Sequence, residues 1–116
     1  PDLQETLRDM ESDITARKLP IRGDRNFHIR IAQASDNSAL QAVVTQLFDE
    51  RNGPLFTRLG SHFERESTWK EAVDEHRAVI EAIARHDPDM ARAAMSGHLD
   101  RSHERFSAGW PTPADA

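Results

Sequence analysis

Apolar residues recur at spacings of three and four along nearly the whole of this 116-residue chain, and nowhere do they alternate with polar residues over the length of a convincing strand. That periodicity belongs to helices with one buried face, so the expected class is all-α. Amphipathic helices joined by short connections bury their stripes against one another, which makes an antiparallel helical bundle the expected architecture.

Five helices are predicted. The first covers about residues 3–18 and carries Leu3, Leu7, Met10 and Ile14. The second covers about 24–34, with Phe27, Ile31 and Ala34 on one side. The third starts near Asn37 or Ser38 and carries Leu40, Val43, Val44, Leu47 and Phe48; a kink or break is expected at Gly53-Pro54, with helix resuming briefly through Leu55, Phe56 and Leu59. Thr68 and Glu71 have the spacing of a capping box and place the start of the fourth, which runs to about residue 85. Asp87 as N-cap and Pro88 at the first helical position open the fifth, which reaches about residue 106. Residues 1–108 read as one domain, and 109–116, with two prolines, as an extended or disordered tail.

Composition removes several function classes. A formal charge of −5 is a poor match to a surface that wraps the phosphate backbone. Cysteine is absent, which excludes disulfides, thiolate metal sites and cysteine nucleophiles, and leaves histidine and carboxylate as the good metal ligands. There is no membrane-length apolar run and no signal-peptide pattern at the start, so a cytoplasmic location is expected.

Three of the six histidines stand where an apolar residue belongs. His76 fills the gap in the fourth helix's stripe of Trp69, Ala72, Val73, Val79, Ile80 and Ile83. His98 occupies the central position among Ala91, Ala94, Met95, Ser102 and Phe106 on the fifth. His28 lies one turn after Asp24, about 40° around the axis, so the two project from one stripe beside Phe27 and Ile31. Taken singly, an inward histidine is an ordinary hydrogen-bonded core residue and Asp24 an N-cap. Taken together, three inward histidines on three helices with an aspartate in register favour one divalent cation, since buried polar groups need partners and a single ion satisfies all four. A di-iron bundle requires Glu-x-x-His on two helices and further inward glutamates, whereas Asp24 is the clear inward acid here.

The stretches 24–37, 74–83 and 94–99, with Asp24 ahead of Phe27-His28, then Glu75-His76, then His98-Leu99, closely resemble the FadR-type C-terminal (FCD) domain of GntR-family transcription regulators. The likeness runs in order over about residues 3–106. It implies a helical bundle whose metal ligands fall on Asp24, His28, His76 and His98. The ion expected is zinc, with nickel and manganese as alternatives, and a small organic acid is expected to bind beside it. Set against the family's pattern, the chain is expected to lack the first helix of the domain and the winged helix-turn-helix ahead of it, so DNA binding is expected of a parent protein only. A homodimer is expected to cover the apolar surface thus exposed. Arg51, near the end of the third helix, is the first candidate for the effector's carboxylate, with Arg30 behind it. Residues 48–62 are similar to regulators of hexuronate and related sugar-acid use. The function expected is therefore sensing and not catalysis; the rival reading is a small metal-dependent hydrolase, which would need a general base beside the metal, and no inward glutamate offers itself, though Glu75 adjoins His76 in sequence.

Overall fold

The computed structural model describes residues 2–51 and 66–108, with side chains for 3–50 and 68–105. Among them are α1 (Asp2–Thr15), α2 (Ile21–Ala34), α3 (Ser38–Arg51), α4 (Glu66–Ala84) and α5 (Pro88–Ala108), and no strand. The protein is all-α. The kink expected at Gly53-Pro54, the helix expected over 55–59, His62 and the tail 109–116 fall outside the described residues. No helix among the described residues is long and apolar enough to cross a membrane. The chain forms two compact units, Pro1–Leu59 and Gly60–Ala116.

In the first unit α1 packs on α2 and α2 on α3. The core of this unit centres on Leu7, Met10, Phe27 and Ala32. Burying side chains as large as Met10 and Phe27 contributes about 1.5–3 kcal/mol each. Gly23 sets how closely α1 and α2 approach: a Cβ there would stand 2.6 Å from Met10 Cγ and 2.9 Å from the carbonyl oxygen of Thr6. α2 begins three residues earlier than the sequence suggests, with Pro20 at the N-cap position. Asp24 consequently lies inside the first turn, its N–H donating to the Pro20 carbonyl at 3.1 Å, and does not occupy the N-cap position. α3 starts at Ser38, as expected, and Asn37 caps it, the Leu40 N–H donating to Asn37 Oδ1 at 3.0 Å. Its apolar stripe divides: Val44 and Phe48 are half-buried with Gln41 and Thr45, while Leu40, Val43 and Leu47 are 45%, 55% and 61% exposed, so the inner face is narrower than the hydrophobic pattern implies.

In the second unit α4 packs on α5. α4 starts at Glu66, so Thr68 stands within the first turn and not at the N-cap. The stripe of Trp69, Ala72, Val73, His76, Val79 and Ile80 is buried as predicted, but the face extends toward Glu75 and Ala82, and Ile83 turns outward. α5 opens as expected at Pro88, with the Met90 N–H donating to Asp87 Oδ1 at 3.0 Å.

The same device closes α1 and α4. Arg17 and His86 adopt left-handed conformations, φ 60° and 55°. Around each, two backbone bonds run back to the last turn: Arg17 N–H to Ile14 and Lys18 N–H to Asp13, His86 N–H to Ile83 and Asp87 N–H to Ala82. These are Schellman closures built without glycine.

Candidate functional site

The first unit supplies Asp24 and His28. Both sit on the buried stripe of α2, which Gly23, Phe27 and Ala32 define. Their side chains are 5% and 9% exposed, and Asp24 Oδ1 stands 3.4 Å from His28 Nε2. The His28 ring is held on two sides, stacked on Phe48 of α3 at 4.8 Å between centroids and meeting Phe27 edge-on at 5.0 Å. Such contacts fix the ring plane and leave the nitrogens to polar partners.

The second unit supplies His76 from α4 and His98 from α5, both buried. Their Nε2 atoms are 3.1 Å apart, with the rings at 87° to each other. His98 Nδ1 donates to Glu75 Oε1 at 2.7 Å, which leaves the His98 Nε2 lone pair pointing at His76.

Sequence reasoning noted Glu75 only as the neighbour of His76 and expected no inward glutamate; the structure buries it. Its carboxylate is buried and fully engaged: Oε1 accepts from His98 Nδ1 and Arg105 Nη2, each at 2.7 Å, and Oε2 from Arg105 Nη1 at 2.7 Å and Arg101 Nε at 2.9 Å. Burial alone pushes this carboxyl up, but the hydrogen bonds from Arg105, His98 and Arg101 and the charge of Arg105 outweigh it and hold the pKa at about 2. Arg105 also donates to Ser102 Oγ at 3.2 Å. Gly97 leaves room for the guanidinium of Arg101, whose atoms lie 3.1–3.4 Å from where a Cβ would be. The signal for Glu75 was its place in a second line on α4, Ala72, Glu75, Val79 and Ala82, all buried.

Two ligands bonded to one ion at about 2.0–2.2 Å, at the angles of four- to six-coordinate geometry, lie roughly 3.0–3.4 Å apart. The Asp24–His28 separation of 3.4 Å and the His76–His98 separation of 3.1 Å both meet that requirement. The donor set, carboxylate and imidazole without thiolate, suits zinc, nickel or manganese. Each pair is therefore fit to serve as half of a metal site.

The two arginines expected to face an effector are placed differently. Arg30 is half-buried on α2 and lines a groove against α3 with Arg25, Asn26, Ile29, Gln33, Gln41 and Thr45. Arg25 in this groove is paired with Asp49, Nε to Oδ1, at 2.8 Å. Arg51 is the last residue of α3, and its side chain lies outside the described residues. His86 and His103 are exposed, in keeping with ordinary surface roles.

A family model for the FCD domain matches residues 1–101. The chain is 35% identical over 82 residues to the Exu regulon transcriptional regulator of Escherichia coli (strain K12), covering 68% of this chain and 31% of that protein. It is 33% identical over 85 residues to the Uxu operon transcriptional regulator of the same strain, 72% of this chain and 33% of that protein. To the HTH-type transcriptional repressor NanR of Escherichia coli (strain ATCC 8739) it is 32% identical over 92 residues, 78% of this chain and 32% of that one. The chain thus spans about a third of the length of the curated relatives it matches. No solved structure matches it. With a family model covering most of its length and regulators as relatives, the chain belongs to the FCD domain family of GntR-type transcription regulators.

Proposed function

We propose that this chain is the metal-containing effector-binding and dimerisation domain of a FadR-type regulator working in the cytoplasm, and that Asp24, His28, His76 and His98 together hold one divalent ion, zinc in the first instance. The observation that carries the reading is the pairing of buried ligands. Each of the two units presents two side chains whose donor atoms are spaced as ligands of one ion, 3.4 Å in the first and 3.1 Å in the second.

When bound, the ion supplies a Lewis-acidic site with one or two positions open to a small carboxylic acid. Arg51, with Arg30 second, is the proposed partner of that acid's carboxylate. A sugar acid such as a hexuronate is the proposed effector, on the likeness of residues 48–62 to regulators of sugar-acid use. Occupation of the site biases one arrangement of the parent protein over another, and DNA is reached through a winged helix-turn-helix of that parent. The exposed Leu40, Val43 and Leu47 of α3 offer apolar surface to a second copy.

A hydrolase would need a carboxylate free to take a proton from water. Glu75 is the buried glutamate nearest the histidines, but both its oxygens are filled and its pKa is held at about 2, which makes it a poor general base. The site is accordingly read as a sensor and not as a catalytic centre.

A thermal-shift screen of hexuronates and other small carboxylic acids, run with and without chelator, tests the reading. Expected is stabilisation by zinc, further stabilisation by at least one acid, and loss of the acid's effect once the metal is stripped. A purified chain that takes up no divalent metal, or an acid whose effect survives chelation, overturns it.

A further inference from the structure

We infer that Glu75 is a positioning residue for the proposed metal site: clamped by Arg101 and Arg105, its carboxylate keeps the proton of His98 on Nδ1 and so leaves the Nε2 lone pair for an ion. The inference rests on the metal reading above but concerns a residue that touches none of the proposed ligand atoms.

A neutral imidazole carries one proton, and which nitrogen holds it is decided by what the other faces. Glu75 Oε1, 2.7 Å from His98 Nδ1, is an acceptor with no proton to give. Its remaining acceptor sites are taken by three guanidinium N–H groups, a two-pronged fork from Arg105 at 2.7 Å and Arg101 Nε at 2.9 Å. The carboxylate can neither rotate without losing charge-assisted bonds nor turn a different atom toward the ring. His98 Nδ1 is thus the protonated nitrogen and Nε2, 3.1 Å from His76 Nε2, the available one.

The arginines matter because they make the glutamine substitution informative. In Glu75→Gln the guanidinium donors still require acceptors, so the amide oxygen turns to them and the NH2 faces His98 Nδ1. An NH2 at that position demands an acceptor, which moves the ring proton to Nε2, where it competes with the metal.

The experiment is a zinc titration of the wild-type chain and of Glu75→Gln against a competing chelator, with circular dichroism to follow helix content and 15N shifts of the His98 ring. Expected is a fall in zinc affinity of about 10–100-fold with helicity retained. In the zinc-loaded wild type the ring should carry its proton on Nδ1 and metal at Nε2. Equal affinity of variant and wild type, with the wild type binding zinc, overturns the role of Glu75 alone; so does metal at Nδ1 of His98, a readout that needs no variant to fold. Failure of the wild type to bind any divalent metal instead sinks the metal reading itself.

Discussion

The Glu75 cluster should leave a mark on acid stability that can be measured without any metal. Its carboxyl has a pKa of about 2 in the folded chain against 4.5 as the ordinary value. A depressed carboxylate stabilises the fold fully above its unfolded pKa, and that contribution disappears as pH falls through the folded one. The window therefore runs from about pH 4.5 down to about pH 2. A shift of this size corresponds to about 3 kcal/mol by the usual conversion of 1.36 kcal/mol per unit. Arg101 is half-exposed and screened by water, which brings the expected figure nearer 2 kcal/mol. The assay is urea unfolding of the chelated protein at a series of pH values, comparing wild type with Glu75→Gln, in which this titration is absent while the histidines remain. The stability difference between the two should shrink by roughly 2 kcal/mol as pH falls across that window. A difference that stays flat to the bottom of the window would show that the carboxylate is not held by the arginines as described.

Two further outcomes follow from the packing. Gly23→Ala places a methyl 2.6 Å from Met10 Cγ and 2.9 Å from a backbone oxygen of α1, so chemical denaturation should show a loss of about 1–3 kcal/mol, and a neutral result would mean that α1 and α2 are not so closely apposed. His86→Gly relieves a left-handed residue, φ 55°, at the end of α4 and should raise the melting temperature, by a gain of about 0.5–1 kcal/mol; a lower melting temperature would contradict the closure drawn there.

The helices were legible because their signals are local. Periodicity of three and four needs only the chain's own neighbours, and the cap at Asp87 is decided within one turn. The starts of α2 and α4 were misplaced for a related reason. Asp24 and Thr68 are good capping residues, but each helix reaches back past its own, to Ile21 and Glu66, and Asp24 stands inside α2 with its carboxylate 3.4 Å from His28. Left-handed closures at Arg17 and His86 were not legible at all, since no glycine marks them.

The inward histidines were found because each breaks an apolar stripe, and a break is visible in one helix alone. Glu75 breaks no stripe that hydrophobicity draws: the fourth helix can be centred on His76 and Ile83 or shifted by one residue toward Glu75 and Ala82, and sequence favours the first because isoleucine is more apolar than alanine. The structure keeps His76 buried and widens the face toward the second. Ile83 is 41% exposed and Ala82 wholly buried, because a face that must receive α5 closely has use for a small side chain and for a carboxylate with partners waiting. Those partners, His98, Arg101 and Arg105, lie 23–30 residues further on, at spacings of three and seven along one face of α5. A buried acid of this kind can be recognised only when both helices are read at once. An unpartnered carboxylate at position 75 would cost several kcal/mol, so two arginines in register on the neighbouring helix are the condition for its burial.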